Sequence, residues 1–493
     1  MQPLPRQSIR NLGVRGLIRQ QSVDDSLIPD EALTEIINMH CDRIGAVQSR
    51  PGLTAIGATV STTNPCIGLH NEGSSSAIAV FVASGSATIY QRQGASWAQI
   101  GKGVGSGALR FVDFAQRTLM FGGSENSMQV FSGSNFSTNS GNPINPDDMW
   151  YVNGTGVGAY ARPQYGEVYK SRIYLTGDTN YVPFGSRLWF SSVISSSGII
   201  TWSPQTDYVD INPSDGENFT GLKRFSLELL CFKPNYIYRF RTSGVDPDPL
   251  IRVGTRSQES VIEGKRGLYF HHDTGFYRYS GGYPEEISRP IDDIVKAITF
   301  GNYDDVAGWK DGDHIYWSIG SVTVAEAKQS VTYTSCVVRF TESSEVWTVY
   351  SYPTTINRGM PFVTGTSKSI MVGLNTGVMA EFNKGNADLG ESIKFRAITK
   401  WYEWGGIENQ KEIQQMIAIA EKGQGMQLMY QTDDYTDWVT ISPSLDKLLT
   451  YYDKNSKKFH RIRFKLTGSS TNEPPVFLGI EIPQISGEFV KNG

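Results

Sequence analysis

GLYFHHDTGFYRYSGG, residues 267 to 282, decides the fold class. An aromatic-rich run enters the polar turn Asp273-Thr274-Gly275 and returns through Phe276, Tyr277 and Tyr279, so the stretch reads as two short strands folded back on each other. Working outward, six more stretches follow the same grammar. They are AIAVFVASGSATIYQR (77 to 92), TLMFGGSENSMQVFSG (118 to 133), SRIYLTGDTNYVPFGSRLWFSS (171 to 192), ELLCFKPNYIYRFR (228 to 241), HIYWSIG with SCVVRFTESSEVWTVYSYP (314 to 353) and SIMVGLNTGVMAEF (369 to 382). Their centres recur every ~40 to 50 residues, the interval of a four-stranded propeller blade, which cannot bury its faces alone and stacks on its neighbours. The sequence therefore predicts an all-β chain in which residues 55–388 form a β-propeller of six or seven blades.

Different patterns flank that array. Residues 1–54 open with Arg6, Arg10, Arg15 and Arg19 and no acidic residue through position 23, while Pro5, Gly13 and Gly16 interrupt any helix. This segment reads as an extended basic arm whose arginines make assembly contacts, with a solvated tail as the plainer alternative. PDEALTEIINMH, residues 29 to 40, places proline and acids first and spaces Leu33, Ile36 and Ile37 on one face, which predicts a short amphipathic helix. From about Phe395 the composition shifts again, and Ile462, Phe464 and Leu466 alternate cleanly. Residues 389–493 are expected to form a separate antiparallel β domain.

The bulk composition suits a folded scaffold. Of 493 residues 39% are hydrophobic and 19% charged, enough to bury a core, and 51 glycines supply turns. A formal charge of −4 gives no global basic field to hold nucleic acid or an acidic membrane, so contact with DNA has to be local or transient. No apolar run approaches the ~20 residues of a membrane-spanning helix, and the N-terminus has no signal-type apolar region. Cys41, Cys66, Cys231 and Cys336 form no C-x-x-C pair and read as small buried hydrophobes in a reducing compartment. The triplets at Asn135, Asn153 and Asn218 match the glycosylation pattern without a secretory context.

Few motifs invite chemistry. Gly103-Val-Gly105-Ser-Gly-Ala108 and Gly154-Thr-Gly156-Val-Gly-Ala159 satisfy a loose dinucleotide pattern, yet neither opens a helix that could meet a pyrophosphate. His271 and His272 are adjacent on a strand and so point to opposite faces, which disfavours joint chelation of one ion. A propeller glycosidase needs carboxylates clustered at the channel; Asp207, Asp210, Asp304, Asp305, Asp311 and Asp313 are the acids to consider, and most sit in turn contexts. The sialidase box and the WD40 spacing are both missing. The abundant aromatics read first as blade core, and secondarily as stacking surfaces for sugars or bases. No catalytic, cofactor or metal residue is assigned, and the chain is expected not to be an enzyme.

Two blocks resemble a known family. SLIPDEALTEIINMHCDRIGAVQSRPGLTAIG (26 to 57) is similar to the opening of the tail-nozzle, or packaged-DNA stabilisation, proteins of short-tailed bacteriophages, with its R-P-G-L-T turn leading into the first blade. LKRFSLELLCFKPNYIYRF (222 to 240) and the run from Ile251 to Val295, closing on ISRPIDDI, resemble the family's central blades. A weaker similarity reaches the C-terminal domain. The resemblance implies a structural virion protein, assembled in the host cytoplasm, that forms a hexameric ring below the portal and its adaptor. Such a ring would contact tail fibre, spike or needle proteins, retain packaged DNA, and let double-stranded DNA pass during ejection.

Two readings compete with it. One is a carbohydrate-binding or carbohydrate-cleaving propeller of a phage tail, which clustered carboxylates at a channel mouth would favour. The other is a cellular scaffold, for which the doublets Gly122-Gly123 and Gly281-Gly282 are faint kelch-like signs.

Overall fold

Six of the seven quoted stretches hold the central hairpin of a four-stranded antiparallel sheet in the computed structural model, and the seventh, residues 369 to 382, lies in a ten-stranded sheet that runs on into the C-terminal strands. The structure describes residues 2–489 except 20–26, 44, 58–59, 61–63, 74–75, 84, 95, 103–106, 116, 123–127, 132, 134–135, 138–149, 153–157, 161, 179–183, 197–198, 242–243, 246–251, 325–329, 365, 455 and 471–472. The first glycine-rich run largely, and the second partly, falls outside the described residues, as do Asn135, Asn153 and Gly123.

Blade one runs from Cys66–Gly73 to Ser96–Lys102, blade two from Leu109–Phe114 to Phe136–Ser137, and blade three from Tyr165–Tyr169 to Tyr208–Asp210. Blade four runs from Gly221–Phe225 to Gly244–Val245, blade five from Ile262–Glu263 to Glu285–Glu286, and blade six from Ala307–Asp311 to Val346–Ser351. Blade seven takes three strands from Ile356–Thr364, Ser367–Leu374 and Met379–Phe382. Its fourth is Leu53–Ala55, from far upstream, paired antiparallel as Phe382↔Leu53 and Ala380↔Ala55. The sequence left six or seven blades open, and the described residues form seven. The R-P-G-L-T turn enters the last blade, not the first: its strand pairs with Met379–Phe382.

An apolar layer fills each gap between blades, which is the physical reason for the ring; the layer between blades five and six is continuous with the core of the second unit. Leu119, Phe121, Ile173 and Leu175 lie between blades two and three, and Leu230, Phe232, Leu268 and Phe270 between four and five. Phe81 and Cys66 of blade one pack with Phe362 and Met371 of blade seven, so the succession of interfaces returns to its start. Cys66, Cys231 and Cys336 are buried in these layers as the sequence predicts, and Cys41 is half-buried.

The N-terminal segment and the C-terminal residues build the second unit together. Val476–Phe489 and Asn409–Glu421 form the centre of one sheet, extended by Gln2–Leu4, Gln7–Ile9 and Val47–Ser49. Glu391–Thr399, Ile462–Ser470 and Met426–Thr432 form the facing sheet. Ile413, Met416, Leu428, Phe464 and Ile480 are buried in the core cluster they share, which continues through Phe340 and Trp347 into blade six.

The helix expected from Pro29 to His40 is a strand instead. Leu33–Ile37 adds to the edge of Glu391–Thr399, with Ile36 opposite Ala397 and Ile37 opposite Arg396. A single apolar face of a few residues does not repay helix nucleation, and β-branched Thr34, Ile36 and Ile37 suit a sheet edge that offers both partners and burial. The acids assigned to a first helical turn go elsewhere: Asp30 pairs with Lys400 Nζ at 2.7 Å.

The two units meet at Arg50, whose side chain is completely buried. Its guanidinium donates to Asp388 Oδ1 and Oδ2 at 2.8 and 2.6 Å, to Asn38 Oδ1 at 2.8 Å and to Ser351 O at 3.0 Å. The face of the Tyr352 ring lies 3.8 Å away. One side chain thereby joins the N-terminal segment, the last strand of blade six and the link into the second unit. Replacing Arg50 by Met leaves the Asp388 carboxylate buried without its partner, and we expect a loss of about 3–5 kcal/mol. Urea unfolding followed by tryptophan fluorescence measures it, and adding Asp388→Asn should recover part of the loss.

Candidate functional site

The first strands of the blades lie nearest the axis, where they crowd together. Gly359 shows the crowding: a Cβ there would sit 2.7 Å from Trp309 of blade six. Gly166 stands the same distance from Phe121 of blade two. At the boundary of blades four and five the strand Ile262–Glu263 is short, and Gln258 fills in. Its side-chain amide accepts from Leu222 N at 2.6 Å and donates to Leu222 O at 2.8 Å, imitating a backbone pair.

These strands enclose an axial cavity of about 580 Å³, lined by residues from six of the blades and, in place of blade five, by the turn that precedes it. Its polar groups are mostly paired across blades. Arg110 reaches Glu259 at 2.7 and 3.0 Å, donates to Gln164 O at 3.1 Å, and lies over the Tyr165 ring. Burial alone would raise the Glu259 carboxyl, but the Arg110 and Arg358 charges outweigh it and hold the group down at about 2. His70 Nε2 lies 3.0 Å from Asp113 Oδ1, which also accepts from Thr118 Oγ1 at 2.7 Å. Burial opposes ionisation of Asp113, and the His70 hydrogen bond keeps it below the usual range. Glu167 lies 3.8 Å from Lys223.

None of the six aspartates considered from sequence lines the cavity. Asp210 is clasped by Arg187 at 2.7 and 2.8 Å on the outer strand of blade three. Asp313 accepts from Ser343 N at 3.1 Å and from Lys265 at 3.0 Å, as a turn acid does. The sequence reading missed Asp113, Glu167 and Glu259, because the quoted hairpins begin at the second strand of each blade. The first strands, such as YGEVY and GLKRF, are polar and glycine-bearing, so their alternation is weak.

Three of the four arginines expected to make assembly contacts, Arg6, Arg10 and Arg19, have side-chain partners within the chain. Arg6 and Arg10 both reach Glu481, at 2.8 and 2.6 Å, and Ser8 donates to the same carboxylate at 2.8 Å. Arg19 is buried 3.8 Å from Asp293, and Arg15 is exposed. The structure thus brings Arg6 and Arg10 together and leaves Arg15 and Arg19 apart from them.

Among the described residues, Asp433, Asp434 and His460 can bring ligand atoms within 4.8 Å of one another. Asp433 Oδ1 already accepts from the amides of His460 and Arg461, both at 3.0 Å. His271 and His272 do point apart: the first packs on Phe276 and Tyr303, the second on Tyr277 with Nδ1 2.8 Å from Thr274 Oγ1.

No family model matches the chain, and no curated protein matches it. Among solved structures, the computationally designed Ika8 protein aligns at 9% identity and a TM-score of 0.37, covering 66% of this chain and 99% of its own. An extracellular domain from B. thetaiotaomicron aligns at 9% identity and 0.42, covering 90% of this chain and 64% of its own. Neither likeness bears on what the chain does.

Burial pushes His271 down to about 3 from 6.5. A histidine depressed in the folded state contributes stability that is full above its unfolded value and lost as pH falls from about 6.5 toward 3. Stability should therefore fall by up to about 1.4 kcal/mol per pH unit below 6.5 on account of this one group. Urea midpoints of the wild type and His271→Phe, compared between about pH 7 and 5, should show the shallower slope in the variant.

Proposed function

We propose that the chain is a structural subunit of the tail nozzle of a short-tailed bacteriophage, forming a hexameric ring that retains packaged DNA and conducts it during ejection. The resemblance that suggests this falls where the architecture is fixed. Residues 26–57 carry buried Arg50 and the strand that closes blade seven, and residues 222–295 carry blades four and five.

The observation that carries an assembled ring is an unpaired sheet edge. Leu449–Tyr452 is the outermost strand of its sheet among the described residues; Leu449 and Tyr451 on it are 41% and 56% exposed, and Leu448 just before it 58%. A strand edge with exposed apolar side chains is a template for another chain, which a ring neighbour would cover. The axial cavity of about 580 Å³ has the size of a small-molecule pocket. In this reading DNA runs through the ring of subunits, and the adaptor, the fibre, spike or needle proteins and the neighbouring copies are its partners. Exposed Arg15, and Arg6 at 66% side-chain exposure, remain candidates for assembly contacts.

The competing glycosidase reading requires a carboxyl that stays protonated near neutral pH to act as general acid. Glu259, held at about 2, is the opposite case.

The test is the mass in solution, alone and after mixing with the portal and adaptor of the same virion. A ring of about six copies is expected, formed directly or on the adaptor, and Tyr451→Glu should weaken it. A persistent monomer that ignores the adaptor would contradict the nozzle reading and favour a sugar-binding propeller.

A further inference from the structure

The axial cavity holds more positive charge than its carboxylates neutralise. Arg110, Lys223, Arg224 and Arg358 face Asp113, Glu167 and Glu259. The three carboxylates already have partners: Asp113 with His70 and Thr118, Glu167 with Lys223, and Glu259 with Arg110. Arg224 is exposed to the cavity and makes no side-chain hydrogen bond or ion pair among the described residues. Arg358 spends one donor on Asn357 O at 2.7 Å and has no carboxylate within ion-pair distance among the described residues. A guanidinium carries five N–H donors in a planar fork that matches a carboxylate or phosphate edge, so most of the donors of these two residues are available.

Position adds to chemistry. Arg224 is on the first strand of blade four and Arg358 on the first strand of blade seven. In a ring of seven these stand three steps apart on opposite walls, and the cavity between them is concave and built from rigid strands. A concave site with a few convergent polar groups is the usual form of a small-molecule pocket. Its volume suits a molecule of monosaccharide size and excludes polymers from the interior.

We propose that the axial cavity is a binding site for a small organic anion carrying a carboxylate or phosphate group, held by Arg224 and Arg358 across the propeller axis. The bound anion would take the donors these arginines leave open and tie two opposite blades together. Glu259 and Asp113, kept ionised by their own partners, set the limit on the ligand's charge: a group approaching them has to be neutral or a hydrogen-bond donor, as a sugar hydroxyl is. The site is independent of the nozzle reading, since ring formation is measured by mass and this by ligand binding.

Isothermal titration calorimetry at low salt tests it, with sodium glucuronate and sodium phosphate as probes and glucose as the neutral control. The full-length protein should bind at least one of the two anions, and glucose about tenfold more weakly or not at all. Glucuronate alone binding identifies a carboxylate ligand, and phosphate alone a phosphate ligand. Arg358→Gln and Arg224→Gln should each weaken binding about tenfold or more while the urea midpoint stays near the wild type. Arg224 is exposed, so its variant keeps the test valid if Arg358→Gln unfolds. Absence of binding by both anions, equal binding of glucose, or an Arg224→Gln protein that binds like the wild type would overturn the proposal.

Discussion

A completely buried arginine fixes the relation between the two halves of this protein. Taking a guanidinium out of water is costly unless its donors are met, and Arg50 meets them with a bidentate carboxylate, an asparagine oxygen and a backbone carbonyl. Each partner belongs to a different stretch. Asn38 follows the strand that joins the second unit, Ser351 ends blade six, and Asp388 lies just past blade seven. Asn38 Oδ1 also accepts from Ser351 N at 2.7 Å, and its amide donates to Lys394 O at 2.7 Å. Three residues after Arg50 the chain becomes the closing strand of the propeller, so the ion pair sets where that strand begins.

The same constraint shapes the axis. Once the ring is closed by a strand from upstream, its seven first strands are held at fixed spacing, and the residues between them must either be small or satisfy one another. Gly359 and Gly166 take the first course, while Arg110 with Glu259, and His70 with Asp113, take the second. Charges in such a place interact more strongly than they would in water, which is why Glu259 stays ionised despite its burial. The arginines left over, Arg224 and Arg358, are the groups through which the axis can meet something outside the chain.

Much of the fold was legible because blade hairpins advertise themselves. The second strand of a blade is buried on both faces against its neighbours, so Leu229–Phe232 and Leu268–His272 carry almost no charge and are rich in apolar and aromatic residues. The first strands, which carry polar residues toward the axis, and the turn holding Gln258 and Glu259 lie outside those hairpins, so most of the candidate site was passed over. The segment from Pro29 to His40 misled for a related reason. Its three apolar positions, Leu33, Ile36 and Ile37, cover little more than one helical turn, and periodicity in so short a run is weaker than an available sheet edge. Nor could local sequence reveal that Leu53–Ala55 belongs with Met379–Phe382, since that pairing spans most of the chain.

Joined through Arg50 and the closing strand, the propeller and the second unit should open as one cooperative body. Native-state hydrogen exchange tests it most directly, by comparing amides of Ile370, Met371 and Val372 in blade seven with those of Phe395, Ala397 and Phe464 in the second unit. Both groups should show the same opening free energy and the same denaturant dependence, because neither can unfold while the other stays closed. Blade seven opening at clearly lower free energy while the second unit stays protected would contradict it.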